Sequence, residues 1–152
     1  MSRALEEDGM YTKQVSVFLE NKKGRLAEVT RLLAENGINI RALSLADMAD
    51  FGVLRLIVSD RARCLGVLKA HGLAAQETDV IAVEVEDHPG SLHRIVDLLN
   101  RDDINVEYMY AFFVKSGANA IVVLKIDDAG RAVEALNRGG VPILPEDTVQ
   151  NL

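Results

Sequence analysis

The sequence predicts an α+β protein made of two copies of one β-α-β-β-α-β unit, and three observations predict it. Residues 20–43 (ENKKGRLAEVTRLLAENGINIRAL) and residues 86–109 (EDHPGSLHRIVDLLNRDDINVEYM) repeat each other 66 positions apart, matching at Gly24/Gly90, Leu26/Leu92, Val29/Ile95, Leu33/Leu99, Ile38/Ile104 and Asn39/Asn105. That period is too long for a solenoid unit and suits a small domain. Within each copy the apolar period changes from two to about 3.6 and back, which alternates strands with helices. Glycine and aspartate clusters punctuate the changes.

In the first copy, Val15, Val17 and Leu19 alternate and predict a strand packed on one side. Residues 21–24 turn the chain. From Arg25 the period lengthens, and Leu26, Val29 and Leu33 form a helical stripe that stops at Asn36-Gly37. Residues 40–48 read as a second strand, Asp50-Phe51-Gly52 as a hairpin turn, and Gly52–Ser59 as a third strand. Asp60 is placed to cap a helix through about His71, and residues 73–79 make a short fourth strand. The second copy repeats the order. Ile81, Val83 and Val85 alternate; Asp87-His88-Pro89-Gly90 turns; Leu92, Ile95, Val96 and Leu99 stripe a helix. Val106–Val114 is the next strand, Lys115-Ser116-Gly117 its turn, and residues 119–126 the third strand. Asp127 or Asp128 caps a helix to about Arg138, and residues 141–144 close the unit, with Pro142 at an edge or strand start. The predicted boundaries are 12–79 and 80–147, with 1–11 as a disordered extension and 148–152 as a tail.

In this connectivity both helices of a unit lie on one face of its sheet. The other face is expected to stay open, yet Val53, Ile57, Ile121 and Val123 make it apolar. Either a fuller core or a homodimer meeting through the open sheet faces would cover it, and the dimer is the favoured expectation.

Composition excludes several classes of function. No stretch approaches the roughly 20 apolar residues of a membrane span. Residues 1–9 carry acids where a signal peptide needs an apolar core, and a lone Cys64 allows no intrachain disulfide, so a cytoplasmic location is expected. The net charge of −6 lies wholly in the second half, which argues against a nucleic-acid partner. The three histidines, His71, His88 and His93, form no nucleophile–base arrangement, and His88 and His93 are a poor metal pair. No phosphate loop occurs. Neither catalysis, a cofactor nor a metal is expected.

The turn that opens the first helix of each copy carries the chemistry. A helix N-terminus offers unsatisfied N–H groups and a positive dipole end, which attract a carboxylate. Gly24 and Gly90 allow close approach, and Asn21 and Asp87 can accept from an ammonium group. Together these are the demands of a free α-amino acid, although a glycine turn before a helix is more often only a turn. The segments VSVFLENKKGRLAEVTRLLAENGINIRAL and IAVEVEDHPGSLHRIVDLLNRDDINVEYMY each resemble the opening of an ACT domain: strand, acidic-or-Asn-x-x-Gly-x-Leu turn, helix, then Gly-x-Asn-Ile or its near equivalent. The resemblance covers residues 12–147 and is nearest to stand-alone bacterial tandem ACT proteins that bind amino acids.

That resemblance implies two ferredoxin-like βαββαβ units side by side, forming an eight-stranded antiparallel sheet with helices on one face. It implies ligands at the junction between units. The first site would draw Asn21, Lys23, Gly24, Arg25 and Leu26, facing Asn105, Val106, Tyr108 or Tyr110. The second would draw Asp87, Pro89, Gly90, Ser91 and Leu92, facing Asn39, Ile40, Ala42 or Ser44. Lys23 stands where the family usually has proline, so the first turn is expected to be less pre-shaped than the second. Two sites of unequal affinity are the expectation, in a regulatory or sensor protein with a metabolic enzyme as a further partner. The first copy is also similar to the small regulatory subunit of acetohydroxyacid synthase, but the second half is another ACT copy and not the distinct C-terminal domain of those subunits. A nucleic-acid module on the same fold ranks last, because its aromatics would lie in the acidic half.

Overall fold

The computed structural model of the chain describes residues 10–113 and 119–152, without the side chain of Met48. The predicted turn Lys115-Ser116-Gly117 lies outside the described residues. The elements are β1 (Thr12–Glu20), α1 (Arg25–Glu35), β2 (Ile40–Met48), β3 (Phe51–Val58), α2 (Arg61–Ala70), β4 (Ala74–Glu86), α3 (Ser91–Arg101), β5 (Val106–Phe113), β6 (Asn119–Ile126), α4 (Ala129–Arg138), β7 (Ile143–Leu144) and α5 (Glu146–Gln150). Two compact units emerge, one of Lys13–Thr78 and one of Asp79–Gln150 with residues 10–12.

In the N-terminal unit the strand order is β2-β3-β1-β4. Val15, Val17 and Leu19 of β1 pack with Val29 and Leu33 of α1, Cys64 and Leu68 of α2, and Leu54 and Leu56 of β3. In the C-terminal unit β7 pairs with β4, β4 with β6, and β6 with β5. Its core joins Ile81, Val83, Ile95, Leu99, Leu124 and Leu136, with Met10 and Tyr11 packed against it. Each unit places two helices on one sheet face, where the alternating strand residues meet the helical stripes.

The strand count differs from the expectation. Seven strands are described where eight were expected, because Ala74–Glu86 is one continuous strand of 13 residues. No glycine, proline or other breaker interrupts that stretch, so the fourth strand of one copy and the first of the next never separate. The two second strands do not pair with each other: β2 pairs with β3 and β5 with β6. The β2–β3 turn is Ala49-Asp50, not Asp50-Phe51-Gly52; Ala49 takes φ +52°, and Phe51 already pairs with Met48. Pro142 precedes the short β7, and α5 was not foreseen. Pro145 and the acids Glu146 and Asp147 are an N-terminal helix signal, and Val149 is buried beneath the helix.

Val53, Ile57, Ile121 and Val123, expected on the open faces, are at most 8% exposed in the single chain, whereas Phe18, opposite Val53 on the same face, is 46% exposed. Gln14 and Ser16, on the side of β1 away from the helices, are buried as well; the Gln14 amide donates to Ser16 Oγ at 3.1 Å.

Candidate functional site

The two repeated turns have the same backbone. Gly24 has φ 92° and ψ −13°, and Gly90 has φ 91° and ψ −14°. Lys22 N–H donates to the Glu20 carbonyl as His88 N–H does to Glu86, and Arg25 N–H reaches Lys22 O as Ser91 N–H reaches His88 O. The missing proline at Lys23 has therefore not altered the conformation. A positive φ near 90° is one that residues with a Cβ rarely adopt, so glycine is required at both positions. No side chain caps α1 or α3. The remaining long helices differ: Asp60 accepts from Arg63 N–H at α2, and Asp128 from Arg131 N–H at α4. The repeated helices alone thus begin with their first-turn N–H groups free of a side-chain acceptor, among the four helices of ten or eleven residues.

At the first turn, a cleft of about 320 Å³ is lined by Asn21, Lys22, Arg25 and Leu26 together with Leu45 and Asp47 of β2 and Glu20 of β1. Asn21 is partly committed to structure, since its amide Nδ2 donates to the Ala49 carbonyl at 3.0 Å and its N–H to Asp50 O. Those bonds fix the hairpin tip to the turn and leave the amide oxygen as the acceptor. Lys22 Nζ lies 2.9 Å from Glu20 Oε2. The Lys22 hydrogen bond and charge, with Arg25 beyond, hold the Glu20 carboxyl below its usual pKa.

At the second turn, a cleft of about 520 Å³ includes Pro89, Gly90, Ser91, His88 and Arg94, with Val141 and Pro142 on its far wall. His88 Nε2 lies 2.7 Å from Glu86 Oε2, and Nδ1 lies 3.1 Å from the Pro89 carbonyl and 2.9 Å from Ser91 Oγ. An imidazole that meets an acceptor at each nitrogen favours its doubly protonated form. The Pro89 carbonyl foremost, and then Glu86, raise its pKa above the ordinary value. A raised folded-state pKa means that the stabilising contact is fully present below the unfolded value and is lost as pH rises through the folded one. An NMR titration should find the His88 midpoint above about 6.5, falling in Glu86→Gln. A midpoint at or below that value would refute the contact.

The structure brings together only part of each predicted set. Asn21, Arg25 and Leu26 line the first cleft and Pro89, Gly90 and Ser91 the second. Lys23, Gly24, Asp87 and Leu92 do not line them. Leu26 and Leu92 open the helical stripes in sequence, yet both are exposed, so the stripes begin in the core only at Val29 and Ile95. Asn39 and Asn105 serve their own units: Asn39 N–H donates to Ser59 Oγ, and Asn105 N–H to Asp127 Oδ1, each closing the start of a second strand on the end of a third. Ile40 and Val106 pack against their own cores. Ser44, Tyr108 and Tyr110 are half-buried in β2 and β5. Glu20, Lys22, His88 and Arg94 were missed as lining residues. The identity of Glu20 and Glu86 at matched repeat positions was the available signal.

The family model matching residues 10–151 is that of an ACT domain pair. Among solved structures, protein BT0572 from Bacteroides thetaiotaomicron is similar at 38% identity and a TM-score of 0.89, over 95% of this chain and 99% of that one. The ligand-free regulatory subunit of aspartate kinase from Thermus thermophilus is similar in fold, with 17% identity and a TM-score of 0.62, over 86% and 93% of the chains. The corresponding subunit from Thermus flavus gives 18% and 0.59, over 84% and 92%. No curated protein matches. No helix among the described residues is long and apolar enough to cross a membrane.

Proposed function

The chain belongs to the family of ACT domain pairs, and from that premise we propose that it is a regulatory, non-catalytic module that takes a free amino acid at the turns opening α1 and α3. The observation that carries this reading is the uncapped, glycine-led entry to both helices, beside two helices with aspartate caps of their own. A ligand carboxylate would receive the first-turn N–H groups of Leu26 and Ala27, or of Leu92 and His93. Its ammonium group would meet the Asn21 amide oxygen at one turn and the Asp87 carboxylate at the other. Lys23, Arg25 and Ser91 would set the polarity of these entries, and exposed Leu26, which lines the first cleft, would lie against the ligand side chain. Clefts of about 320 and 520 Å³ are ample for one amino acid.

The two sites differ in charge and so in affinity. Asn21 is neutral beside Lys22 and Lys23, whereas Asp87 is acidic beside His88. The same fold occurs in regulatory subunits of aspartate kinase, which supports the fold alone; the ligand reading rests on the turns. A thermal-shift screen of the standard amino acids tests it, because a ligand bound only to the folded state raises the midpoint, by about 2.7 kcal/mol of stability at one hundred times Kd. One or a few amino acids should shift the midpoint, and calorimetry should resolve two unequal sites. No shift from any of them would overturn the reading, and two identical sites would overturn the inequality.

A further inference from the structure

The cleft at the α3 turn runs from Gly90 to the exit of α4 at Gly140 and Val141, and Arg94 lines it between the two. Arg94 lies one helical turn beyond the entry, where its N–H donates to the Gly90 carbonyl. Its guanidinium donates to the Gly139 carbonyl at 2.7 Å, which engages one of five N–H donors. Among the described residues that guanidinium meets no carboxylate. The two carboxylates of the cleft lie elsewhere. Glu84 and Glu86 alternate with the core residues Val83 and Val85, so they point to the sheet face away from the helices. Glu84 accepts from the Asn119 amide at 3.2 Å, and Glu86 meets His88. On the helix side, Arg94 is the charged group left with donors to give.

The N-terminal unit has the counterpart of this cleft, about 360 Å³, on the same side of its own turn. Its Glu20, Arg25 and Glu28 stand 66 positions before Glu86, Ser91 and Arg94. At the position of Arg94 it has Glu28, which closes on Arg25 at 3.1 Å. At the position of Glu84 it has Phe18, 46% exposed. The fold builds this corner without an arginine, so holding α3 to the exit of α4 does not by itself account for Arg94.

We propose that the C-terminal turn selects an amino acid with a side-chain carboxylate, glutamate or aspartate, and that Arg94 is the selecting residue. The inference rests on the reading of the α3 turn as an amino acid site and names the ligand class it takes. The α-carboxylate receives the first-turn N–H groups, and the side-chain carboxylate meets the guanidinium one turn further on, about 5.4 Å along the axis. The carbon chain of glutamate spans that distance. A carboxylate can take two parallel N–H bonds from a guanidinium, whereas the isosteric amide brings no charge to it.

Calorimetry on the full chain with L-glutamate, L-aspartate, L-glutamine and L-lysine tests the proposal. One of the two acids should bind about tenfold or more tightly than glutamine and lysine. Arg94→Gln should erase that preference, weakening the acid about tenfold or more while glutamine changes less than about twofold. Arg94→Lys, which keeps the charge, should keep the order of preference. Loss of the Gly139 contact alone would weaken every ligand together, so the ratio of acid to amide separates selection from support. Gly90→Val should abolish binding of the acid, which places it at this turn. Glutamine or lysine bound as tightly as the acids, or an acid preference that survives Arg94→Gln, would overturn the role of Arg94 and leave the amino acid reading of the turn standing. No binding of any amino acid would overturn both.

Discussion

Gly90→Val is expected to destabilise the protein by about 1–3 kcal/mol and to abolish ligand binding at the α3 turn, and Gly24→Val to do the same at α1. The cause is the backbone and not crowding. A Cβ at either position would meet nothing within 4 Å, yet φ lies at +91° and +92°. A β-branched residue held there is strained whatever the space around it. Relief of that strain would turn the preceding peptide and re-aim the first-turn N–H groups, which are the groups proposed to hold the carboxylate. Gly66 supplies the control. It lies inside α2 with open space at its Cβ and an ordinary φ, so Gly66→Ala should stabilise by about 0.5–1 kcal/mol. Denaturant unfolding gives the stabilities and calorimetry the binding. If Gly90→Val bound amino acids as tightly as the parent, the turn would not be the site.

Leu33→Ala and Leu99→Ala should each cost about 2–5 kcal/mol, the largest effects anticipated for single substitutions in this chain. These leucines occupy matched positions of the repeat and are 0% and 1% exposed at the centres of the two unit cores. Each packs a helix onto alternating valines and leucines of its own sheet, so truncation leaves a cavity lined by residues that cannot collapse into it. The matching truncations of Leu26 and Leu92, which occupy the first position of the same stripes but are exposed, should cost well under about 1 kcal/mol. Urea denaturation of the four variants would separate the two classes. Equal costs for the exposed and buried leucines would contradict the packing described.

That contrast also marks how far the repeat could be read directly. A 3.6-residue period puts Leu26, Val29 and Leu33 on one stripe, but periodicity does not say where along its length a helix leaves the sheet. Leu26, in the first turn of α1, is 38% exposed, whereas Val29 and Leu33 on the same stripe are buried. The strand β1 fails in the opposite sense. The alternation of Val15, Val17 and Leu19 predicts a strand packed on one side, yet Gln14 and Ser16 on the other side are buried too, with the Ser16 hydroxyl 3.3 Å from Thr78. Polar identity in a strand records that partners are needed, and a partner 62 residues away serves as well as water.

Local chemistry determined the elements, their order and the glycine turns. Alternation, helical stripes, the aspartate caps at Asp60 and at Asp127 or Asp128 (the structure selects Asp128) and the requirement for glycine at positive φ all act within a few residues, so the chain states them directly. Duplication then fixed the two-unit plan. Tertiary structure alone decided the rest: that residues 74–86 run as one strand, that Val53, Ile57, Ile121 and Val123 are buried in a single chain, that Asn21 is tied to the β2–β3 hairpin, and that no described strand pairs with the outer edge of β2. Each of these depends on which surfaces meet after the chain has closed on itself, and such meetings carry no periodicity for a sequence to display.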